Sequence, residues 1–195
     1  QAISDKIHAR GGSCLSIQTD VSKPEDIHLL QDKVSKFGSV SILINNAGIG
    51  CFCPVEELSI DDWNQQLDVN LRGAFLLSQA FLPEMKQNRK GVLVFINSVA
   101  GRQPFSQSAA YVASKFGLRG LAGSLREELR EDNIKVISVY PGAVDTPFWN
   151  NVNVNFPKDE MMSSDDVADS IVYAILSPNN VVQEEVVIRR TGGDF

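Results

Sequence analysis

The chain has 195 residues, 43% of them hydrophobic, and carries a formal net charge of −6. That length and apolar fraction fit a single domain over residues 1–195 that buries its own core without metals or disulfides. The acidic balance excludes a nucleic-acid binder, whose affinity rests on clustered Lys and Arg.

Residues 1–10 (QAISDKIHAR) read as the middle of a helix, with Ile3 and Ile7 on one face and Gly11-Gly12 as the stop. The chain therefore reads as entered partway through. Residues 13–19 (SCLSIQT) predict a strand. Pro24 to Phe37 predict a helix with Ser22 as its cap, an acidic first turn, and Ile27, Leu30, Val34 and Phe37 at helical spacing. Val40 to Ile44 is a short apolar run that breaks into a loop at Asn45-Asn46-Ala47-Gly48. Ser59-Ile60-Asp61-Asp62 resembles a capping box with Asp in the place of Glu, opening a helix to about Met85 with a break near Asp68.

Val92 to Ile96 is a second apolar strand. A helix over Ala109 to Glu131 would bury Val112, Phe116, Leu121, Leu125 and Leu129. Lys135 to Val139 is a third strand, stopped by Pro141-Gly142. Asn150 to Pro157 is a polar connection, either a mobile loop or an ordinary surface one. A helix from Ser164 to Leu176 and a strand from Glu185 to Arg189 complete the pattern. Short apolar strands separated by long helices imply parallel pairing with both sheet faces covered, a doubly wound α/β fold of Rossmann-like type.

The three cysteines, Cys14, Cys51 and Cys53, lack metal-binding spacing and point to no metal and a reducing, cytoplasmic compartment. No apolar run approaches the roughly 20 residues that span a membrane, and no signal peptide opens the sequence. Neither a membrane nor a nucleic acid is expected as a partner.

Tyr111 and Lys115 stand four apart on a predicted helix, so both side chains leave one face about a turn apart. An ammonium beside a phenol favours the phenolate and draws its pKa down from about 10, which would let Tyr111 exchange a proton with a carbonyl or alcohol oxygen. The same spacing is common on solvated helix faces, so it needs company. Ser98 supplies it at the end of the strand VLVFINS, where a hydroxyl can meet a substrate oxygen. Asn45, Asn46 and Gly48 end the preceding strand, and Pro141-Gly142 with Thr146 end the next. The carboxyl ends of parallel strands are where doubly wound sheets hold their ligands. A hydrolase reading of Ser98 finds no base, because the only histidines, His8 and His28, fall in the opening segments.

Taken in order, these motifs resemble the short-chain dehydrogenase/reductase family along the whole chain. Asn45-Asn46-Ala47-Gly48 resembles the family's NNAG. Asp20-Val21 resembles the acidic-aliphatic pair that contacts adenine, and Asp68-Val69-Asn70 carries the family's asparagine. Ser98, Tyr111 and Lys115 match its serine and its Tyr-x-x-x-Lys. Pro141-Gly142-Ala143-Val144-Asp145-Thr146 resembles the segment over the nicotinamide.

The resemblance implies an NAD- or NADP-dependent oxidoreductase that interconverts a carbonyl and an alcohol. Tyr111 would be acid and base, Ser98 would position the oxygen, Lys115 would hold the nicotinamide ribose and lower the tyrosine pKa, and Asn70 would anchor a water beside the lysine. Thr146 would bind the carboxamide, with Pro141, Gly142 and Val144 alongside it. Asn46, Ala47 and Gly48 would pass the adenosine ribose. The family's first two strands and glycine-rich turn have no counterpart here: Gly11-Gly12 and Gly48-Ile49-Gly50 do not open a helix after a first strand.

The residue that chooses NAD or NADP would lie in that part. The expectation is therefore an N-terminally truncated sheet that binds cofactor weakly. In it, either the strand at 13–19 moves beside Val40 to Ile44, or that edge stays open. The alternative function is an impaired remnant serving as an oligomerising or binding scaffold. The helices over Asn70 to Met85 and Ala109 to Glu131 resemble the family's dimer interface, so a homodimer or homotetramer is expected. Phe148, Trp149, Phe156 and the methionines up to Met162 would form a lid over an apolar small-molecule substrate.

Overall fold

The computed structural model describes residues 2–152 and 157–193. Four strands, β1 (Ile42–Asn45), β2 (Gly91–Ile96), β3 (Ile134–Pro141) and β4 (Glu185–Ile188), form one sheet in the order β1-β2-β3-β4. All neighbours are parallel, with Ile44 beside Val94, Val94 beside Ile137, and Val139 beside Val186. Parallel strands need crossovers, and helices supply them: α3 (Ile60–Leu67) and α4 (Gly73–Asn88), α5 (Ala109–Leu129) and α6 (Ser164–Ile175) follow β1, β2 and β3, while α1 (Ala2–Ala9) and α2 (Pro24–Phe37) precede β1. The result is the α/β Rossmann-like architecture that the alternation of strand and helix predicts.

Alternation along the strands sorts the core onto two faces. Leu93, Phe95 and Val136 pack with Met85 of α4 and Leu118, Ala122 and Leu129 of α5. Val94, Ile137 and Val139 turn the other way, onto Ala174 and its neighbours on α6. A third cluster seats Ile27 of α2 against Leu77 and Phe81 of α4. No described helix is long and apolar enough to cross a membrane.

Three local expectations are corrected. Residues 13–19 form no strand; Cys14 N–H instead donates to His8 Nε2 at 3.3 Å. A strand exists only on a ladder, and β1 shares its ladder with β2 alone. Among the described residues its outer edge stays open, with Ile42 and Ile44 both close to half exposed. Ser22 does not cap α2, because Lys23 holds that position without a side-chain bond. The Ser22 N–H and hydroxyl donate instead to Asp20 Oδ1, at 3.0 and 2.7 Å. Phe116, expected inside, is 42% exposed on α5. The break near Asp68 is one π turn, Asp68–Arg72, set between α3 and α4. The Ser59 cap holds as predicted, its hydroxyl accepting from Asp62 N–H at 3.0 Å.

Candidate active site

A cavity of about 820 Å³ opens at the carboxyl ends of β1, β2 and β3. Asn46, Gly48, Ser98, Tyr111, Lys115, Pro141, Gly142, Val144 and Thr146 all line it. Asp20, Val21, Ala47 and Asn70 do not. The Asp20 carboxylate is held below the usual range by the Ser22 hydroxyl and amide. Val21 packs in the third core cluster, where an added side chain at Gly73 would come within 2.9 Å of it.

Ser98 lies in extended backbone just past β2, and its hydroxyl caps a short turn by accepting from Ala100 N–H at 3.1 Å. The Ser98 side chain acts on the Tyr111 phenol, drawing its pKa down. Tyr111 stands on the first turn of α5. Lys115, one turn on, is 4% exposed; its Nζ donates to Ile96 O at 3.0 Å and lies 5.6 Å from the Tyr111 ring centre.

The electrostatics differ from the expected pairing. Burial pushes the Tyr111 phenol up to about 12, and Ser98 offsets only part of that rise. Burial also drives the Lys115 ammonium down to about 8. The causes acting on the Tyr111 phenol are burial and Ser98, with no lowering by Lys115 among them. In this pocket Tyr111 keeps its proton at neutral pH.

Asn70 sits in the π turn, 1% exposed, with its carboxamide committed to protein. Its Nδ2 donates to Ile49 O at 2.9 Å and to Ser114 Oγ at 3.0 Å, while Oδ1 accepts from Ile49 N–H at 2.8 Å. Both amide hydrogens are therefore used, and the expected water has no donor left on this side chain. Ser114 passes the connection on, its hydroxyl donating to Tyr111 O at 2.7 Å.

Three residues outside the predicted set complete the framework. Ser114 is one. Asn97 is another: its Oδ1 accepts from Ser98 N–H at 2.9 Å and its Nδ2 donates to Lys115 O at 3.1 Å, tying the serine and lysine backbones together. Gln66 is the third, its Oε1 accepting from Cys51 N–H at 3.0 Å. No pattern marks these amides and hydroxyls in a lone sequence, although Asn97 and Ser114 flank motif residues. Asn45 is 4% exposed and its carboxamide has no hydrogen-bond partner among the described residues.

The mouth of the cavity is aromatic. Phe52 meets Tyr111 edge-on at 5.4 Å, Phe148 lies 5.9 Å from Tyr111, and Trp149 packs on Phe148 at 5.2 Å. Phe156, expected beside them, is outside the described residues.

The sequence matches the family described as short chain dehydrogenase over residues 1–156. The chain belongs to the short-chain dehydrogenase family. Sepiapterin reductase of Chlorobaculum tepidum is 36% identical over the whole chain, which covers 80% of that protein. An uncharacterised oxidoreductase of Staphylococcus saprophyticus is 33% identical over 92% of the chain and 77% of its own length. Among solved structures, an alcohol dehydrogenase from Thermococcus sibiricus complexed with 5-hydroxy-NADP superposes with a TM-score of 0.88 at 28% identity. The match covers 97% of this chain and 80% of that one. A metagenomic short-chain oxidoreductase in complex with NADP gives 0.84 at 32% identity, with the same coverage. This short-chain dehydrogenase is thus an oxidoreductase by family.

Proposed function

We propose that the protein interconverts a carbonyl and an alcohol in a small apolar substrate, with NADP or NAD as cofactor and Tyr111 as acid and base. One observation carries the reading: Ser98, Tyr111 and the buried Lys115 converge on one cavity at the carboxyl ends of the strands. The complexes of two solved relatives with NADP or its 5-hydroxy analogue support the cofactor, and the named reductase and alcohol dehydrogenase support the reaction class.

The residues fit the nicotinamide end of such a cofactor. An added side chain at Gly48 would come within 3.7 Å of Lys115 Nζ and 3.5 Å of Asn70 Oδ1, so the bare glycine keeps a cradle open beside the lysine. Lys115 and Tyr111 would hold the ribose; Pro141, Gly142, Val144 and Thr146 would flank the ring. Asn46 to Gly48 would border the adenosine ribose, and Asp20 with Val21 the adenine. Bound nicotinamide supplies or takes the hydride.

In reduction, Tyr111 gives its proton to the carbonyl oxygen, and Ser98 donates to the same oxygen as negative charge develops. A phenol raised to about 12 is protonated at neutral pH, so Tyr111 enters reduction with the proton it gives to the more basic developing alkoxide. The Lys115 ammonium offsets the negative charge left on the Tyr111 oxygen until water reprotonates it, and Asn70 and Asn97 position the loop and backbone around the lysine. Exposed Phe75 on α4 and Phe116 on α5 offer apolar surface that supports a homodimer or homotetramer through these helices.

The test is consumption of NADPH or NADH with a panel of ketones and aldehydes, compared between the native chain and Tyr111→Phe. Turnover lost in the variant supports the reading; equal turnover in both overturns it.

A further inference from the structure

The pocket wall beside Tyr111 has a chemistry that the reaction class does not require. We propose that Phe52 and Phe148, seated on Gly50, form a π-surface that selects substrates whose carbonyl is conjugated to a flat ring. This rests on the functional reading above and narrows its substrate class.

Phe52 comes from the loop after β1, and Phe148 from the turn Pro147–Asn151 after β3. The two rings lie 6.4 Å apart at 66°, and each touches Tyr111, so three rings make one continuous wall of the cavity. Trp149 packs edge-on against Phe148 and is itself held by Nε1–H donating to Val144 O at 2.8 Å. The rings close up only because position 50 has no side chain. A Cβ on Gly50 would lie 2.8 Å from Phe148 Cζ and 2.9 Å from Phe52 Cζ, inside contact distance of both.

The placement couples recognition to chemistry. Tyr111 is a member of the wall and also carries the proposed proton. A conjugated carbonyl is coplanar with its ring, so a ring laid along the wall brings its oxygen to the Tyr111 and Ser98 hydroxyls in one pose. An aliphatic ketone of equal size gains the same burial but none of the edge-to-face or offset attraction, a difference worth about tenfold in binding.

The experiment compares calorimetric binding of tetralone with that of its saturated counterpart decalone to the purified chain. The same titrations are run on Phe52→Leu, Phe148→Leu and Gly50→Ala, with circular dichroism to confirm folding. The expected result is about tenfold tighter binding of tetralone, reduced to parity in the leucine variants and weakened in Gly50→Ala. Equal binding of the two ketones, binding of neither, or a preference that survives both leucine variants overturns the proposal. Tetralone that binds with the expected preference but is not turned over with NADPH or NADH would overturn the reaction and leave the π-surface standing.

Discussion

Asn70 closes a two-bond clasp on a single residue, accepting from Ile49 N–H and donating to Ile49 O with one carboxamide. The side chain thus substitutes for a strand partner to the backbone between Gly48 and Gly50. Replacing it leaves the two half-buried Ile49 backbone groups without their partner, each costing about 1–3 kcal/mol. Asn70→Ala is expected to lose about 3 kcal/mol, read as a lowered urea midpoint with an unchanged slope. A loss below about 1 kcal/mol would show that the clasp is replaceable by water.

Tyr111 and Ser98 are expected to act as a unit. Tyr111→Phe should cost about 10²- to 10⁴-fold in kcat, and Ser98→Ala about 10²-fold. The double variant should lose much less than the product of the two, because the second change removes a partner already idle. Steady-state kinetics on one ketone across the three variants decides it; multiplicative losses would mean that the hydroxyls work independently.

Stability should follow pH through the two buried groups. Lys115 falls from 10.5 to about 8 in the folded chain. Between those values the unfolded chain binds more protons, so stability climbs with pH, by about 3 kcal/mol in full, and is lost as pH falls through the folded pKa. Tyr111 acts in the opposite sense: raised from 10.0 to about 12, it costs stability as pH rises through that window. The expected profile rises from about pH 8 and turns over near about pH 10. Denaturant titrations on the native chain and Lys115→Met check this, since the variant should lose the rise.

Gly91 begins β2 directly beneath Met85, which is fully buried. A Cβ at Gly91 would lie 2.7 Å from Met85 Sδ and 2.9 Å from its Cγ. Gly91→Ala should cost about 1–3 kcal/mol by overpacking, and Met85→Ala about 2–5 kcal/mol through the cavity left behind. Combined, they should cost less than the sum, because the new methyl enters the new space. A double-mutant cycle on thermal or urea unfolding measures the coupling.

Much of this was legible in the sequence, for reasons that differ by residue. The β3 run and the α2 period announce themselves because each must meet a continuous apolar neighbour. Ser98, Tyr111 and Lys115 were legible because their chemistry is rare and their spacing ordered. The failed strand at 13–19 had the right composition but no ladder to join, and pairing is a property of the neighbour. Phe116 fits the buried helix period yet faces outward, which a single-chain pattern does not distinguish. Asn97, Ser114 and Gln66 were invisible because backbone clasping needs only a short amide or hydroxyl, and such residues occur everywhere. The tyrosine pKa was misjudged because the spacing shows the lysine's nearness but not the burial that outweighs it.

The π turn at Asp68–Arg72 works as a change of azimuth. At about 100° per residue, an unbroken helix would put Gln66 and Leu77 within about 20° of the same direction. One wider turn removes that coincidence, so the same rod presents Gln66 to the Cys51 amide and, further along, Leu77 and Phe81 to the core. Shortening the turn by a single residue would realign the two halves. Leu77 and Phe81 would hold their buried side while Gln66 and Asn70 swung away from the loop at 49–51, separating the part of the rod that builds the protein from the part that shapes its site.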